Sequence, residues 1–287
     1  MHLLKLDLSH QQLITEKFRE LNFEISEYTF ANIYLFRDIH HYQLFFENEL
    51  FLKGVGRDGS SFLMPTNRFM DHMSIEEMRH HLAEVDFFYP IPEQWLHFFD
   101  PAIFNYSHSE SDSDYLFSLK KIRTQDDTHS NAKSNLIRQL FDQHTVKIVP
   151  LDREQIPMAL SILTEWQKGC KDPANTDYAS CKEAIEMINT LQLTGLIAYV
   201  DDEPGGFIIG EEMAKGNYAI HFAKGKKSIK GIYQYLYQAL AESLSDDIKF
   251  LNFEQDMGLP NLQQAKHSYH PDRMVDKWRV SFRKDLT

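Results

Sequence analysis

The segment NFEQDMGLPNLQQAKHSYHP, residues 252 to 271, gathers ionisable and turn-forming residues in an order that suggests a strand-end site. In an extended strand, residues two apart share a face, so Asn252, Glu254 and Asp256 point one way and Leu251, Phe253 and Gln255 the other. A polar face backed by a mostly apolar one is what a strand lining a cleft presents. Gly258 and Pro260 end the strand and open a helix, with the proline near the first turn, where a missing N–H costs least. On that helix Leu262, Ala265 and Tyr269 share a face, which brings the Tyr269 hydroxyl back toward the strand end.

Two kinds of chemistry fit these residues. Glu254 or Asp256 could act as general base for an incoming amine or hydroxyl, in which case Asn252, Glu254 and Asp256 should line a cleft and be at least partly reachable by solvent. Alternatively Glu254, Asp256, Lys266, Arg273 and Lys277 form an ion-pair network that pins the closing strand. Glu254→Gln would then cost ~3 kcal/mol or more, because one partner of a buried pair would be left uncompensated.

The elements that must position these residues follow from pattern. The chain has 287 residues, 43% of them hydrophobic, with 21 Phe and 13 Tyr, which is a globular composition with a sizeable core. Helical spacing covers Gln11 to Leu21 and Tyr28 to Ile39, a hairpin is expected around Glu47-Asn48, and Ser74 with Glu77 forms a capping box. SHSESDSD, Ser107 to Asp114, is the most polar stretch and is expected to be flexible. Farther on come two helices, a hairpin from Gly195 to Met213 with turn residues at Asp201 to Gly206, a strand, and the amphipathic helix of SIKGIYQYLYQALAESL. A short strand and one long closing strand, DRMVDKWRVSFRK, complete the pattern. The order is α/β with mixed sheets and a boundary near residues 145 to 150.

Several segments carry a resemblance: SEYTFANIYLFRD, DYLFSL with SNLIRQLF after it, GGFIIGEE, SIKGIYQ and, most specifically, NFEQDMGLPNLQQAKHSYHPDRMVDKWRV. They resemble the C-terminal domain family of bacterial phosphatidylglycerol lysyltransferases and its soluble relatives, and the second half resembles the GNAT acyltransferase fold. The resemblance implies two tandem GNAT-like units, each a mixed sheet flanked by helices, expected at 1–147 and 148–287 with the better-formed site in the second. It implies transfer of an aminoacyl or acyl group onto an amine or hydroxyl, with Tyr269 as proton donor to the leaving group. Asn252, Lys266, Lys227, Lys230, Gly231, Gln234 and Arg273 are the matching candidates for donor or substrate binding. The alternative is a non-catalytic ligand-binding or structural protein that keeps the fold.

The departures bear on the donor. A GNAT enzyme holds the coenzyme A pyrophosphate on the backbone amides of a small-residue turn at a helix N-terminus. Here that turn reads KKSIKGIYQ, with Tyr233 where Gly or Ala is wanted and Ser228 where Gln or Arg is wanted, which argues against coenzyme A. The resemblance leaves aminoacyl-tRNA as donor substrate and a small molecule or lipid headgroup as acceptor. THSNAKSN, which keeps only Lys133 of the family's basic run, and a net charge of −12 both weaken the case for tRNA.

The remaining signals exclude more than they add. The histidine pairs His40-His41 and His80-His81 lack the spacing and third ligand of a zinc site, so no metal is expected. Cys170 and Cys181 need no disulfide framework, and no stretch approaches the length of a membrane span, so a cytoplasmic protein with no integral membrane segment is expected. Neither a P-loop nor a nucleophile elbow occurs.

Overall fold

The computed structural model describes residues 2–47, 49–68, 72–124 and 131–283, so the expected turn residue Asn48 lies outside it. The chain runs β1 (His2–Lys5), α1 (Gln11–Leu21), α2 (Phe30–Leu35), β2 (Gln43–Phe46), β3 (Leu50–Val55), β4 (Ser61–Pro65), α3 (Ile75–Leu82), β5 (Phe87–Pro92), β6 (Phe104–Ser107) and β7 (Asp114–Ser118). It continues with α4 (Leu119–Thr124), α5 (Asn131–Gln143), β8 (Val146–Pro150), α6 (Ile156–Lys168), α7 (Tyr178–Glu186), β9 (Thr194–Val200), β10 (Glu203–Glu212) and β11 (Asn217–Gly225). The last elements are α8 (Ile232–Ser243), β12 (Phe250–Asn252), α9 (Pro260–His267), β13 (Arg273–Val275) and β14 (Lys277–Phe282).

Two seven-stranded mixed sheets result, ordered β1-β2-β3-β4-β5-β14-β6 and β8-β9-β10-β11-β12-β7-β13. Each contains one parallel pair, β4 with β5 and β11 with β12, among otherwise antiparallel neighbours whose direction is defined. A parallel pair needs a crossover, and α3 and α8 supply it. The sheets share one plan: five consecutive strands, then a strand from the other half of the sequence, then the next in order. The expected single closing strand is therefore two strands, β13 and β14, in different sheets.

The chain divides into two compact units, although not at residue 147. Unit 1 comprises 1–115, 255–265 and 274–287, and unit 2 comprises 116–254 and 266–273. The expected boundary differs because α4 and α5 pack on α8. Phe141 meets the Tyr235 ring edge-on at 5.2 Å, and Arg123 donates to the carbonyls of Ala241, at 2.6 Å, and Leu244, at 2.5 Å.

Local chemistry accounts for several elements. Ser74 and Glu77 close the expected capping box on α3. The hairpin of β9 and β10 turns at Asp201 and Asp202, both at positive φ (52° and 66°), a conformation aspartate tolerates better than most residues. At Gly206 a Cβ would lie 2.9 Å from Ile232 and 3.0 Å from Leu236, so glycine lets α8 settle against β10. In unit 1 the core is built on Phe51, Leu52, Met64, Phe88 and Ile91, and in unit 2 on Ile197, Phe207, Ile208, Leu236 and Leu251, all essentially inaccessible.

Candidate functional site

The strand expected to carry Asn252, Glu254 and Asp256 stops at Asn252. Glu254 adopts a φ of 59° and Met257 also 59°, so side-chain alternation does not extend past the strand end. Asn252 and Asp256 are completely buried rather than solvent-reachable. Each folds the chain locally: Asn252 Oδ1 accepts the Glu254 N–H at 2.7 Å, and Asp256 Oδ1 accepts the Gly258 N–H at 2.7 Å. These are the turns that Asn and Asp side chains favour. The Tyr115 hydroxyl donates to the other Asp256 oxygen.

Glu254 has a partner that sequence reading missed. In unit 2 the His221 ring, on β11, lies with Nδ1 2.7 Å from Glu254 and Nε2 2.8 Å from Glu211. Burial alone would lower the His221 value, yet Glu254 and Glu211 outweigh it and bring it to about 10. The ring thus lies between two glutamate side chains, an arrangement that favours its protonated form. Lys266 donates to the Glu254 carbonyl at 3.0 Å, so the structure brings Lys266 and Glu254 together through the backbone.

Tyr269 sits in an aromatic cluster, 5.6 Å from Tyr237 and 5.9 Å from Phe253 between ring centroids, with the Lys133 ammonium 3.5 Å above its ring. Burial holds its phenol well above the ordinary tyrosine value, Tyr237 adding to the effect and Gln234 opposing it. Arg273 lies over the Phe250 ring at 5.0 Å. Lys277, anticipated in an ion-pair network with Glu254, Asp256, Lys266 and Arg273, pairs instead with Glu27 and Asp114.

At the expected donor turn, Tyr233 reaches back so that its hydroxyl accepts the Gly225 N–H at 3.1 Å. Gly231 is at φ 84°, and a Cβ there would come 2.4 Å from the Leu136 carbonyl oxygen, so this glycine serves the contact of α8 with α5. Lys224 is bidentate to Asp177 at 2.8 and 2.7 Å and lies 3.9 Å over the Trp166 ring. Lys226 pairs with Glu165 at 3.2 Å, and Lys227 donates to the Gly169 carbonyl. Lys230 is exposed.

Unit 1 holds a cavity of about 440 Å³. Its buried lining includes Glu27, Tyr42 and Phe62, while Arg57, Asp58 and Ser109 are exposed. The stretch that opened the sequence reading does reach it, through Gln255 and Met257 rather than Glu254 and Asp256. SHSESDSD, expected to be flexible, runs from the end of β6 through a short 3-10 turn, Glu110–Asp112, into β7, and Ser109, Ser111 and Asp112 from it line the wall. Arg279 bridges Asp58 at 2.6 Å and Asp112 at 3.2 Å.

Behind the cavity lies a buried charge cluster. Lys277 Nζ is 2.8 and 2.7 Å from the two Glu27 oxygens, 2.7 Å from Asp114 Oδ1 and 3.1 Å from Gln255 Oε1. Asp114 also accepts the Ser26 N–H at 2.7 Å and the Ser26 hydroxyl at 3.0 Å. Burial pushes the Glu27 carboxyl up to about 7, with Lys277 opposing the rise and Asp114 adding to it. Burial would lower the Lys277 ammonium, but Asp114 and Glu27 together raise it above the usual lysine value. Glu27 owes its place to the start of α2, where Thr29 caps the helix by accepting the Asn32 N–H at 3.2 Å. Sequence reasoning missed Glu27 and Asp114, which stand in an apolar stretch and a polar loop, and assigned Lys277 to a network with Glu254 and Asp256; the sheet topology joins it to Glu27 and Asp114 instead.

Paired mixed sheets of this order define a tandem GNAT-like protein. Residues 18–281 match the profile of the phosphatidylglycerol lysyltransferase C-terminal family, and the chain belongs to that family. A conserved protein of unknown function from Bacteroides thetaiotaomicron is similar at 19% identity and TM-score 0.83, over 98% of this chain and 99% of that one. L-PGS from Bacillus licheniformis is similar at 14% identity and TM-score 0.64, over 99% and 94%. FemX is similar at 7% identity and TM-score 0.59, over 100% and 98%. A search of curated protein sequences finds no match. Among the described residues no helix is long and apolar enough to cross a membrane.

Proposed function

We propose that the protein is a group transferase that moves an aminoacyl or acyl group onto an amine or hydroxyl acceptor, with the reaction centred in the unit 1 cavity. The observation that carries this reading is the cavity itself, in a chain of a lysyltransferase family, with an ionisable cluster at its buried side. Its volume, about 440 Å³, suits a small-molecule group, and Tyr42, Phe62 and Tyr89 offer apolar walls. Aminoacyl-tRNA is the donor this reading favours over coenzyme A, since Tyr233 occupies the backbone amide of Gly225 beside the turn that a pyrophosphate would need. The acceptor is a small molecule or a lipid headgroup.

Tyr233 also favours a second reading, a ligand-binding protein that keeps the fold without transferring anything. One experiment separates the two. The protein is incubated with radiolabelled aminoacyl-tRNAs or acyl-CoAs and a panel of amines, polyols and phosphatidylglycerol vesicles, and the label is followed. Transfer to any acceptor supports the transferase reading. Ligand-induced rise in melting temperature with no transfer overturns it and leaves the binding reading.

A further inference from the structure

We infer that Glu27 is the proton acceptor for the incoming amine or hydroxyl in the unit 1 cavity, with Lys277 and Asp114 as the pair that orients it; this assignment rests on the transferase reading above. The geometry separates the two carboxylates. Asp114 is wholly buried and already holds Lys277, the Ser26 N–H and the Ser26 hydroxyl. Glu27 lines the cavity and keeps a small exposure, 7%. One ammonium cannot balance two carboxylates in a buried site; the Ser26 hydroxyl also lies 3.3 Å from Glu27, but Asp114 alone of the two accepts the Ser26 backbone N–H and lies off the cavity. Glu27 is left as the carboxylate that exchanges a proton with whatever enters.

Other ionisable groups lining the cavity are engaged elsewhere: Arg279 holds Asp58 and Asp112, and His108 lies 3.7 Å from Asp276. Tyr28 donates its hydroxyl to the Pro90 carbonyl at 2.9 Å. Burial, with the Glu27 charge adding to it, raises the phenols of Tyr28, Tyr42 and Tyr89 far above neutrality, so they stay protonated. His40 lines the cavity with Nδ1 3.0 Å from the Val55 carbonyl, and burial lowers its value. Lys277 is held in its charged form and has no lone pair to offer.

The step balances without a further reactant. As the acceptor oxygen or nitrogen bonds to the acyl carbon, its proton passes to the Glu27 carboxylate. When the tetrahedral intermediate collapses, the bond from that carbon to the donor oxygen or sulfur breaks, and the leaving atom takes the proton back from Glu27. The carboxylate is regenerated, as general acid–base catalysis requires.

The test uses the full chain and a donor and acceptor pair found active in the labelled-transfer screen, with turnover measured from pH 5 to 9. The wild-type kcat should rise with pH through one ionisation, and Glu27→Gln should lower kcat by ~100-fold or more without a comparable change in KM. Asp114→Asn should move the rising limb to lower pH, because a neighbouring negative charge no longer opposes ionisation of Glu27. Glu27→Gln retaining turnover within ~10-fold of wild type overturns the assignment while the transferase reading stands. A wild-type kcat that does not rise through one ionisation overturns it also, even if the variants fail to fold. Absence of any transfer by the wild type ends both.

Discussion

Lys277 places its ammonium nitrogen 2.8 and 2.7 Å from the two carboxylate oxygens of Glu27, so a residue of the last strand neutralises one that precedes the second helix. Both are buried in unit 1, and Asp114 completes the cluster at 2.7 Å. Stability here depends on the cation more than on either anion.

Lys277→Met should therefore be strongly destabilising, by roughly 3–5 kcal/mol at pH 8, since it leaves two buried carboxylates without their cation. The loss should shrink at pH 5, where Glu27, without its cation, takes up a proton. Urea unfolding at both pH values checks this. A loss below ~1 kcal/mol at pH 8 would show that the cluster is hydrated and weak.

His221 gives a second, opposite pH signature. Its folded value is raised to about 10 from 6.5, so its contribution is complete below about 6.5 and is lost as pH rises through about 10. Glu254→Gln should cost ~1.5–3 kcal/mol at neutral pH, as expected for a hydrogen bond to a charged group, and should pull the His221 value down. Imidazole NMR with chemical denaturation reads both effects. Unchanged stability with an unchanged His221 titration would show that Glu254 does not hold the His221 ring.

Gly231→Ala probes the packing of α8 on α5. A Cβ would meet the Leu136 carbonyl oxygen at 2.4 Å, and the backbone sits at φ 84°, so the loss should be ~2 kcal/mol or more by thermal unfolding. A neutral substitution would mean that α5 yields at that contact.

Acetyl-CoA should bind weakly or not at all, because the Tyr233 hydroxyl already engages the Gly225 N–H. Calorimetry with a micromolar dissociation constant would contradict this and reopen coenzyme A as donor.

The sequence made the elements legible where local chemistry dictates them. Ser74 with Glu77 marked a helix start, Asp201 to Gly206 marked a hairpin, and the family segments implied paired GNAT-like sheets. The site was less legible. Alternation from Asn252 to Asp256 failed because the strand pairs through Asn252 only, after which Asn252 and Asp256 spend their side chains on backbone turns. Glu27, Asp114 and Lys277 give no local pattern, since strand order rather than spacing brings them together. Lys277 was grouped with the wrong carboxylates because it lay inside what read as one long strand, which is β13 and β14 split at Asp276.

The titration of Glu27 bears on the cavity with the fewest intermediate assumptions, because it needs no substrate. Carboxyl-carbon NMR of the wild type, with the Glu27 resonance assigned by its absence from Glu27→Gln, should give a midpoint near 7, shifted up from 4.5. Between those values the folded state holds a proton that the unfolded chain releases, so wild-type stability should also fall relative to Glu27→Gln as pH rises through about 7. A midpoint at the ordinary glutamate value, with parallel stability curves, would contradict the proposal that Glu27 is poised to take a proton in this cavity.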